Sequence, residues 1–275
     1  MKKDIVLDGW KQVIENIQLS SEEKVRLYKE IISFIDLTTL EGTDNEEKIH
    51  KLCEKALSTV KPELGIAGVA AVCVYPIFVS QVVRELQHNR SIGIASVAGA
   101  FPSGQSPLFL RLEEVTYAVS EGATEIDMVI SRGKLLSGDK DFVYHEVLEH
   151  KKACKSAHLK VILETGELKD FDLIYEASMI SIKAGGDFIK TSTGKIQPAA
   201  TLDASWIMLH AIKDYYQETG RKVGFKAAGG ISEPDVAIQY YMLVKHVLGE
   251  EWLTPSLFRI GASRLLDHLL IKING

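Results

Sequence analysis

Four charged residues interrupt short runs that are otherwise rich in β-branched and aliphatic side chains: Asp36, Asp127, Lys190 and Lys226. Side chains alternate across a strand, so each such run has two faces. In SFIDLTT (33–39), Ile35 and Leu37 take one face, Asp36 and Thr38 the other. In EIDMVI (125–130), Ile126, Met128 and Ile130 oppose Glu125 and Asp127. In KVGFKA (222–227), Val223 and Phe225 oppose Gly224 and Lys226. DFIKTS (187–192) is less regular, because Asp187 and Phe188 blur its phase, but Ile189 on the apolar face sends Lys190 to the other. If the apolar faces meet surrounding helices, all four charges share one interior.

Two lysines so placed have a chemical use. Amine attack on a carbonyl needs the neutral amine, and an exposed lysine with a pKa near 10.4 is almost fully protonated at neutral pH. Desolvation and a second nearby cation both disfavour the charged form. Neighbouring strands lie roughly 4.8 Å apart, close enough for such a pair. A second reading stays open, in which two acids and two lysines neutralise each other as a structural ion-pair network. Strand phase does not choose between Lys190 and Lys226 as nucleophile.

Eight runs read as strands: 33–39, 70–75, 92–97, 125–130, 160–165, 187–192, 222–227 and 257–262. Each is followed by an amphipathic stretch, which predicts a parallel sheet closed as a TIM (β/α)8 barrel. Residues 1–275 then form a single domain, since roughly 250 residues suffice for this fold. The charged residues fall toward the C-terminal ends of their strands, the face where such barrels build active sites. Helix starts are read at Thr43 with Glu46, at Ser106 before Pro107, and at Ser232 before Pro234 and Asp235, the last helix ending near Gly249. Residues 1–30 read as a helical extension, with Ser20 and Glu23 as a capping box, expected to cover the bottom of the barrel.

Three consecutive strands end in small, polar turns: Thr191 to Lys195 through Thr193 and Gly194, then Ala227 to Gly230 through Gly229, then Gly261, Ala262 and Ser263. Glycines let backbone N–H groups approach an anion, and a following helix N-terminus adds a favourable dipole. Any one turn could be a tight connection; three together point to a phosphorylated ligand.

The remaining composition is restrictive. Thirty-seven acidic against 32 basic side chains, with no basic block, argue against a nucleic-acid or membrane-surface partner. Charges throughout the first eighteen residues argue against a signal peptide, and no apolar run could span a bilayer. Cys53, Cys73 and Cys154, odd in number and far apart, read as reduced core thiols of a cytoplasmic protein. The histidines are scattered and HExxH is absent, so a metal-dependent reaction is disfavoured.

With these motifs in hand, the chain resembles the 2-deoxyribose-5-phosphate aldolase family. The segments that carry the resemblance are DLTTL (36–40), AAVCVYP (70–76), EIDMVI (125–130), KVILETGELKD (160–170), SIKAGGDFIKTSTGK (181–195), GFKAAGG (224–230) and RIGAS (259–263), in family order. The resemblance implies reversible cleavage of 2-deoxyribose 5-phosphate to acetaldehyde and glyceraldehyde 3-phosphate, without metal or cofactor, and a homodimer or larger homo-oligomer. It implies Lys190 as the Schiff-base lysine, Lys226 as the neighbour that keeps its pKa low, and Asp127 in proton relay. It places phosphate on Gly194, Lys195, Gly229, Gly230 and Ser263, with Asp36, Thr38 and Thr193 lining the pocket. Two positions depart from the family pattern: Ser232 replaces a common Arg, and Arg264 stands where a second Ser is usual, so Arg264 is expected to take over a phosphate contact. The chain ends Ile-Lys-Ile-Asn-Gly, without the Tyr that some members carry. Alternatives are another Schiff-base sugar-phosphate aldolase and a non-catalytic phosphate-binding barrel.

Overall fold

Each of the eight expected runs overlaps one strand in the computed structural model, which describes residues 5–89 and 91–274. The strands are β1 (Ile35–Thr38), β2 (Ala71–Val74), β3 (Gly93–Ala98), β4 (Glu125–Val129), β5 (His158–Ile162), β6 (Phe188–Lys190), β7 (Gly224–Ala228) and β8 (Phe258–Ala262). All pair in parallel with their sequence neighbours, and β8 returns to β1 to close the barrel. Helices α1 (Gly9–Glu15) and α2 (Ser21–Ile32) precede β1. After it, α3 (Glu46–Ser58) follows β1, α4 (Val79–Glu85) follows β2, and α5 (Leu108–Ser120) follows β3. Two pairs, each a short helix before a long one, come next, α6 (Arg132–Leu136) with α7 (Lys140–Cys154) after β4, and α8 (Thr165–Leu168) with α9 (Phe171–Lys183) after β5. Helices α10 (Leu202–Thr219), α11 (Pro234–Leu248) and α12 (Leu265–Asn274) follow the last three strands.

Alternation sorts the side chains as expected. Ile35, Leu37, Ile126, Met128, Leu159, Val161, Ile189, Phe225, Phe258 and Ile260 join one continuous apolar core under the helices. The opposite faces divide the barrel interior in two. Ala71, Cys73, Ala95 and Val97 on β2 and β3 form a small apolar patch with Leu40. The other strands carry charge. Interior glycines make room for it: a Cβ on Gly261 would stand 3.2 Å from Lys226 Cε, and one on Gly224 would enter the Phe188 ring. Phe188 thus points inward, which explains the irregular phase of β6.

Several expected helix starts shift. The Ser20–Glu23 capping box is present on α2. Asn45, not Thr43, caps α3 by accepting from Lys48 N. Pro107 stands at the cap position of α5, so Ser106 is outside it. Pro234 opens α11 behind Glu233 rather than Ser232, and the helix does stop at Gly249. In each case a residue nearer the first helical turn displaces the one chosen from pattern.

The expected placement of the N-terminal extension needs correction; its residues 1–4 lie outside the described residues. Helix α1 packs on α10 and α11, and α2 on α11 and α12, against the outer ring. Tyr28, Ile31 and Ile32 are buried there, while Tyr28 and Lys24 bind Asp235. The lower mouth stays open as a cavity of about 700 Å³, lined by strand starts such as Glu125, His158 and Arg259 and by segments before strands such as Ser33 and Ala70, and by no described residue of the extension. The apolar stripe of α2 is satisfied by helices rather than by the barrel end. Cys53, Cys73 and Cys154 are buried free thiols. Among the described residues, no helix is long and apolar enough to cross a membrane.

Candidate active site

Register brings the charges together. Lys190 on β6 and Lys226 on β7 are direct Cα partners, as are Asp127 and Lys160 across β4 and β5, and Lys226 and Arg259 across β7 and β8. The side chains form one connected network. Asp127 accepts from Lys190 Nζ and from Lys226 Nζ on the same oxygen, each at 2.7 Å, and from Lys160 Nζ at 3.0 Å on the other. Two lysine nitrogens sharing one carboxylate oxygen lie within two hydrogen-bond lengths of each other. Asp36 binds Lys226 and also Arg259 at 2.5 Å, with Lys160 at 3.6 Å. Glu125 binds Lys160 and takes a 2.7 Å contact from Arg259. All seven side chains are buried.

Compensation within this network is unequal. Burial pulls Lys226 down, but Asp127 and Asp36 outweigh it and hold the ammonium well above its ordinary range. Lys160 faces Asp127, Glu125 and Asp36 and is raised for the same reason. Lys190 has the one carboxylate of Asp127, already shared with two other cations. Burial lowers its pKa, Asp127 opposes this, and Lys226 adds to it, leaving Lys190 below the ordinary lysine value. Asp127 stays ionised despite burial, because Lys160, Lys190 and Lys226 surround it. The Cys73 thiol on the apolar side is pushed up to about 11 by burial and Asp127, so it stays protonated at neutral pH.

Lys190 is also the member of the network that faces the upper mouth. It lines a cavity of about 400 Å³ at the C-terminal ends of the strands, with Thr38, Thr193, Gly194, Lys195, Gly229, Gly230, Ser263 and Arg264. A buried amine with a lowered pKa at the floor of a cavity can attack a carbonyl carbon there, which a protonated lysine cannot.

The rim is built from the glycine turns. Gly194, Gly229 and Gly230 have φ of 79°, 89° and 81°, the left-handed region. A Cβ on Gly229 would meet Ala199 Cβ at 2.6 Å and Gly194 Cα at 3.0 Å, so the two turns touch backbone to backbone. The space before Gly230 is open, so its backbone can be approached from the cavity. Ser263 and Arg264 stand at the N-terminal end of α12, where the helix dipole favours an anion. Lys195 pairs with Glu41 at 3.0 Å, while Arg264 has no ion pair among the described residues.

These features coincide with a known family. A family model described as DeoC/LacD family aldolase matches residues 30–241. The chain belongs to the DeoC/LacD aldolase family. It is 49% identical to deoxyribose-phosphate aldolase of Mus musculus over 86% of this chain and 78% of the relative. It is 45% identical to that of Bos taurus over 98% and 87%. The solved tetrameric deoxyribose phosphate aldolase from Aeropyrum pernix superposes with a TM-score of 0.67 at 26% identity, covering 97% of each chain.

For this family member, most of the residues chosen from sequence converge, at two levels. Lys190 and the rim residues line the cavity, whereas Lys226 and Asp127 lie beneath it. Asp36 is corrected: it does not line the cavity but sits fully buried, bound by Lys226 and Arg259. Thr38 lines the cavity with its hydroxyl turned to its own strand, donating to the Asp36 carbonyl at 2.7 Å. Thr193 also lines it, but its hydroxyl is taken by Glu164 at 2.5 Å.

Four participants were not singled out from sequence. Lys160 and Arg259 obey the same alternation on β5 and β8 and were legible by it. Lys48 reaches the cavity from α3 and pairs with Asp44, which only the folded loop reveals. Glu164 follows β5 in phase with Lys160 and Ile162. It is fully buried with φ of 57°, and its carboxylate clamps Thr193 while Arg132 lies 3.7 Å away. Burial raises its pKa against those contacts. A strained residue tying down a turn beside the cavity fits a role in holding the rim.

Proposed function

We propose that this chain reversibly cleaves 2-deoxy-D-ribose 5-phosphate to acetaldehyde and D-glyceraldehyde 3-phosphate, with Lys190 as the covalent nucleophile. The observation that carries this is the position of Lys190: a buried amine, undercompensated in its network, on the floor of a cavity with an anion-accepting rim. In the synthetic direction the Lys190 amine adds to the acetaldehyde carbonyl carbon, and loss of water leaves an iminium. The positive nitrogen acidifies the adjacent C–H, and the Asp127 and Lys226 pair handles the proton that leaves. The resulting enamine carbon attacks the aldehyde of the phosphorylated acceptor, forming the C–C bond. Hydrolysis of the new iminium restores the amine. Gly194, Gly229 and Gly230 offer backbone N–H groups to the phosphate, with Ser263 at the start of α12 and the cations of Lys195 and Arg264.

Borohydride reduction in the presence of acetaldehyde, followed by peptide mapping, tests the nucleophile: the ethyl adduct is expected on Lys190. Retro-aldol activity on 2-deoxyribose 5-phosphate should be present in the wild type and lost in Lys190→Ala. Adduct on another lysine, or full activity in Lys190→Ala, overturns the assignment.

The same reading makes the protein a cytoplasmic homo-oligomer, most simply a homodimer. The buried free thiols accord with a reducing compartment. Ile77, Phe109 and Leu110, exposed on neighbouring elements, are candidates for the contact. Sedimentation of a single monomeric species would refute the oligomer.

A further inference from the structure

The network that holds Lys190 contains unequal numbers of acids and bases. Asp36, Glu125 and Asp127 face Lys160, Lys190, Lys226 and Arg259, three potential anions against four potential cations. A fully charged network would leave one uncompensated positive charge in the barrel interior, where an unpaired charge is expensive. Releasing one proton restores neutrality. Arg259 cannot release it, since guanidinium stays charged in proteins. It is buried, binding Glu125 and Asp36 through its terminal nitrogens, donating from Nε to the Pro255 carbonyl, and lying over the Phe188 ring. By occupying these two carboxylates, it leaves three lysines to share what remains.

We propose that Arg259 is the fixed charge that keeps Lys190 unprotonated, acting from the bottom of the barrel on an amine that faces its top. It touches no reacting atom and is a positioning residue. The inference deepens the reading of Lys190 as the reacting amine and rests on it. The groups facing Lys190 are Cys73 on β2, Asp127 on β4 and Lys226 on β7, with Lys160 on β5 sharing Asp127. Above it the cavity holds Lys48, Lys195, Arg264 and Glu41. Of these, Lys48 and Lys195 are paired with Asp44 and Glu41, and the nearby Glu164 has Arg132. None of these rim pairs connects to the seven-membered network, so the excess below is not cancelled from above.

The charge count makes ordered predictions. Arg259→Met leaves three cations for three anions, so Lys190 should keep its proton to higher pH. Glu125→Gln enlarges the excess and should move the Lys190 titration lower. The double variant restores an excess of one and should return it to the wild-type position. Arg259→Lys keeps the charge and should leave it in place. A full charge about 10 Å away at an effective dielectric of about 20 moves a titration by roughly one pH unit.

The readout is the pH dependence of reductive methylation at the Lys190 peptide, followed by mass spectrometry. An upward shift of about one unit in Arg259→Met, reversed in the double variant, is the expected result. An unchanged midpoint in Arg259→Met overturns the inference. So does a double variant displaced further than either single, as a structural role would give. If Arg259→Met does not fold, Glu125→Gln decides, because a midpoint that fails to fall overturns the inference equally. Peptide mapping of the acetaldehyde adduct separates the two ideas. A titration that follows charge count with adduct elsewhere refutes the nucleophile, whereas adduct on Lys190 with a fixed titration refutes the role of Arg259.

Discussion

Replacing Lys226 by Met should convert the enzyme into one that works only at high pH. Lys226 shares one Asp127 oxygen with Lys190 and also binds Asp36. Its removal strands neither acid, because Asp127 keeps Lys160 and Asp36 keeps Arg259. What changes is the count: three cations remain for three acids, and of the two cations that share Asp127 with Lys190 only Lys160, on the other oxygen, is left. The largest effect follows from an ordinary lysine, with a pKa near 10.4, of which only about 1 part in 2,500 is neutral at pH 7. The loss in kcat/KM at pH 7 can therefore approach 10³-fold, by an order-of-magnitude reckoning. It should shrink roughly tenfold per pH unit as the amine is titrated between about pH 7 and pH 10. The assay is retro-aldol kcat/KM on 2-deoxyribose 5-phosphate across this range, with Tm recorded, since breaking a buried ion pair can cost about 3–5 kcal/mol. A loss parallel to the wild-type profile at every pH would refute the reasoning and assign Lys226 to packing or proton transfer.

Three further outcomes follow. Arg264→Ala should raise KM for the phosphorylated sugar several-fold while sparing unphosphorylated 2-deoxyribose; equal KM values for variant and wild type would remove Arg264 from the phosphate site. Gly229→Ala must fit a Cβ 2.6 Å from Ala199 Cβ at φ of 89°, which should cost on the order of 1–3 kcal/mol of stability and weaken phosphate binding; an unaltered Tm and KM would argue against the tight turn. His150 is buried, with its pKa lowered to about 4 by burial and then by Arg111, against a hydrogen bond to the Glu146 carbonyl. The unfolded chain binds this proton below about pH 6.5, so the stability contribution is complete above that pH and is lost as pH falls toward 4. The loss is on the order of 3 kcal/mol. Denaturant melts at pH 4.5 and 7.5 should show a smaller difference in His150→Gln, and an equal difference contradicts the assignment.

The strand faces were legible because burial imposes a period of two, and a charge in an apolar run breaks it visibly. That is how Asp127, Lys190 and Lys226 emerge from sequence. Lys160 and Arg259 follow the same period but fall in the first half of the runs 160–165 and 257–262, where a charge reads as an ordinary solvent-facing end. Their side chains turn into the interior instead, and their chemistry depends on the Asp36, Glu125 and Asp127 they meet there. Register supplies that meeting: Lys190 beside Lys226, Lys226 beside Arg259, Asp127 beside Lys160. It is set by closure of eight strands and the packing of every helix outside them, which no local window contains. The same gap explains Asp36, whose phase was right but whose level was not, since Arg259 and Lys226 hold it below the cavity. The N-terminal helices fail differently. Their amphipathic pattern states that a face must be buried, not against which partner, and α11 and α12 offered one.

Register also changes the choice between the two readings left open by strand phase. A structural ion-pair network and a reactive lysine looked like alternatives when two acids faced two lysines, since equal numbers can neutralise each other completely. Seven groups with one cation in excess cannot. A network built for stability alone gains nothing from an odd base, because the interior must either hold an unpaired charge or lose a proton. The odd base is useful where the released proton leaves a neutral amine beside a cavity, and Lys190, with a single shared carboxylate, is the lysine so placed. Structural pairing is then the means by which the amine is kept reactive. Asp127 and Lys226 pass the reaction's proton, while Asp36, Glu125, Lys160 and Arg259 can stay charged and paired throughout.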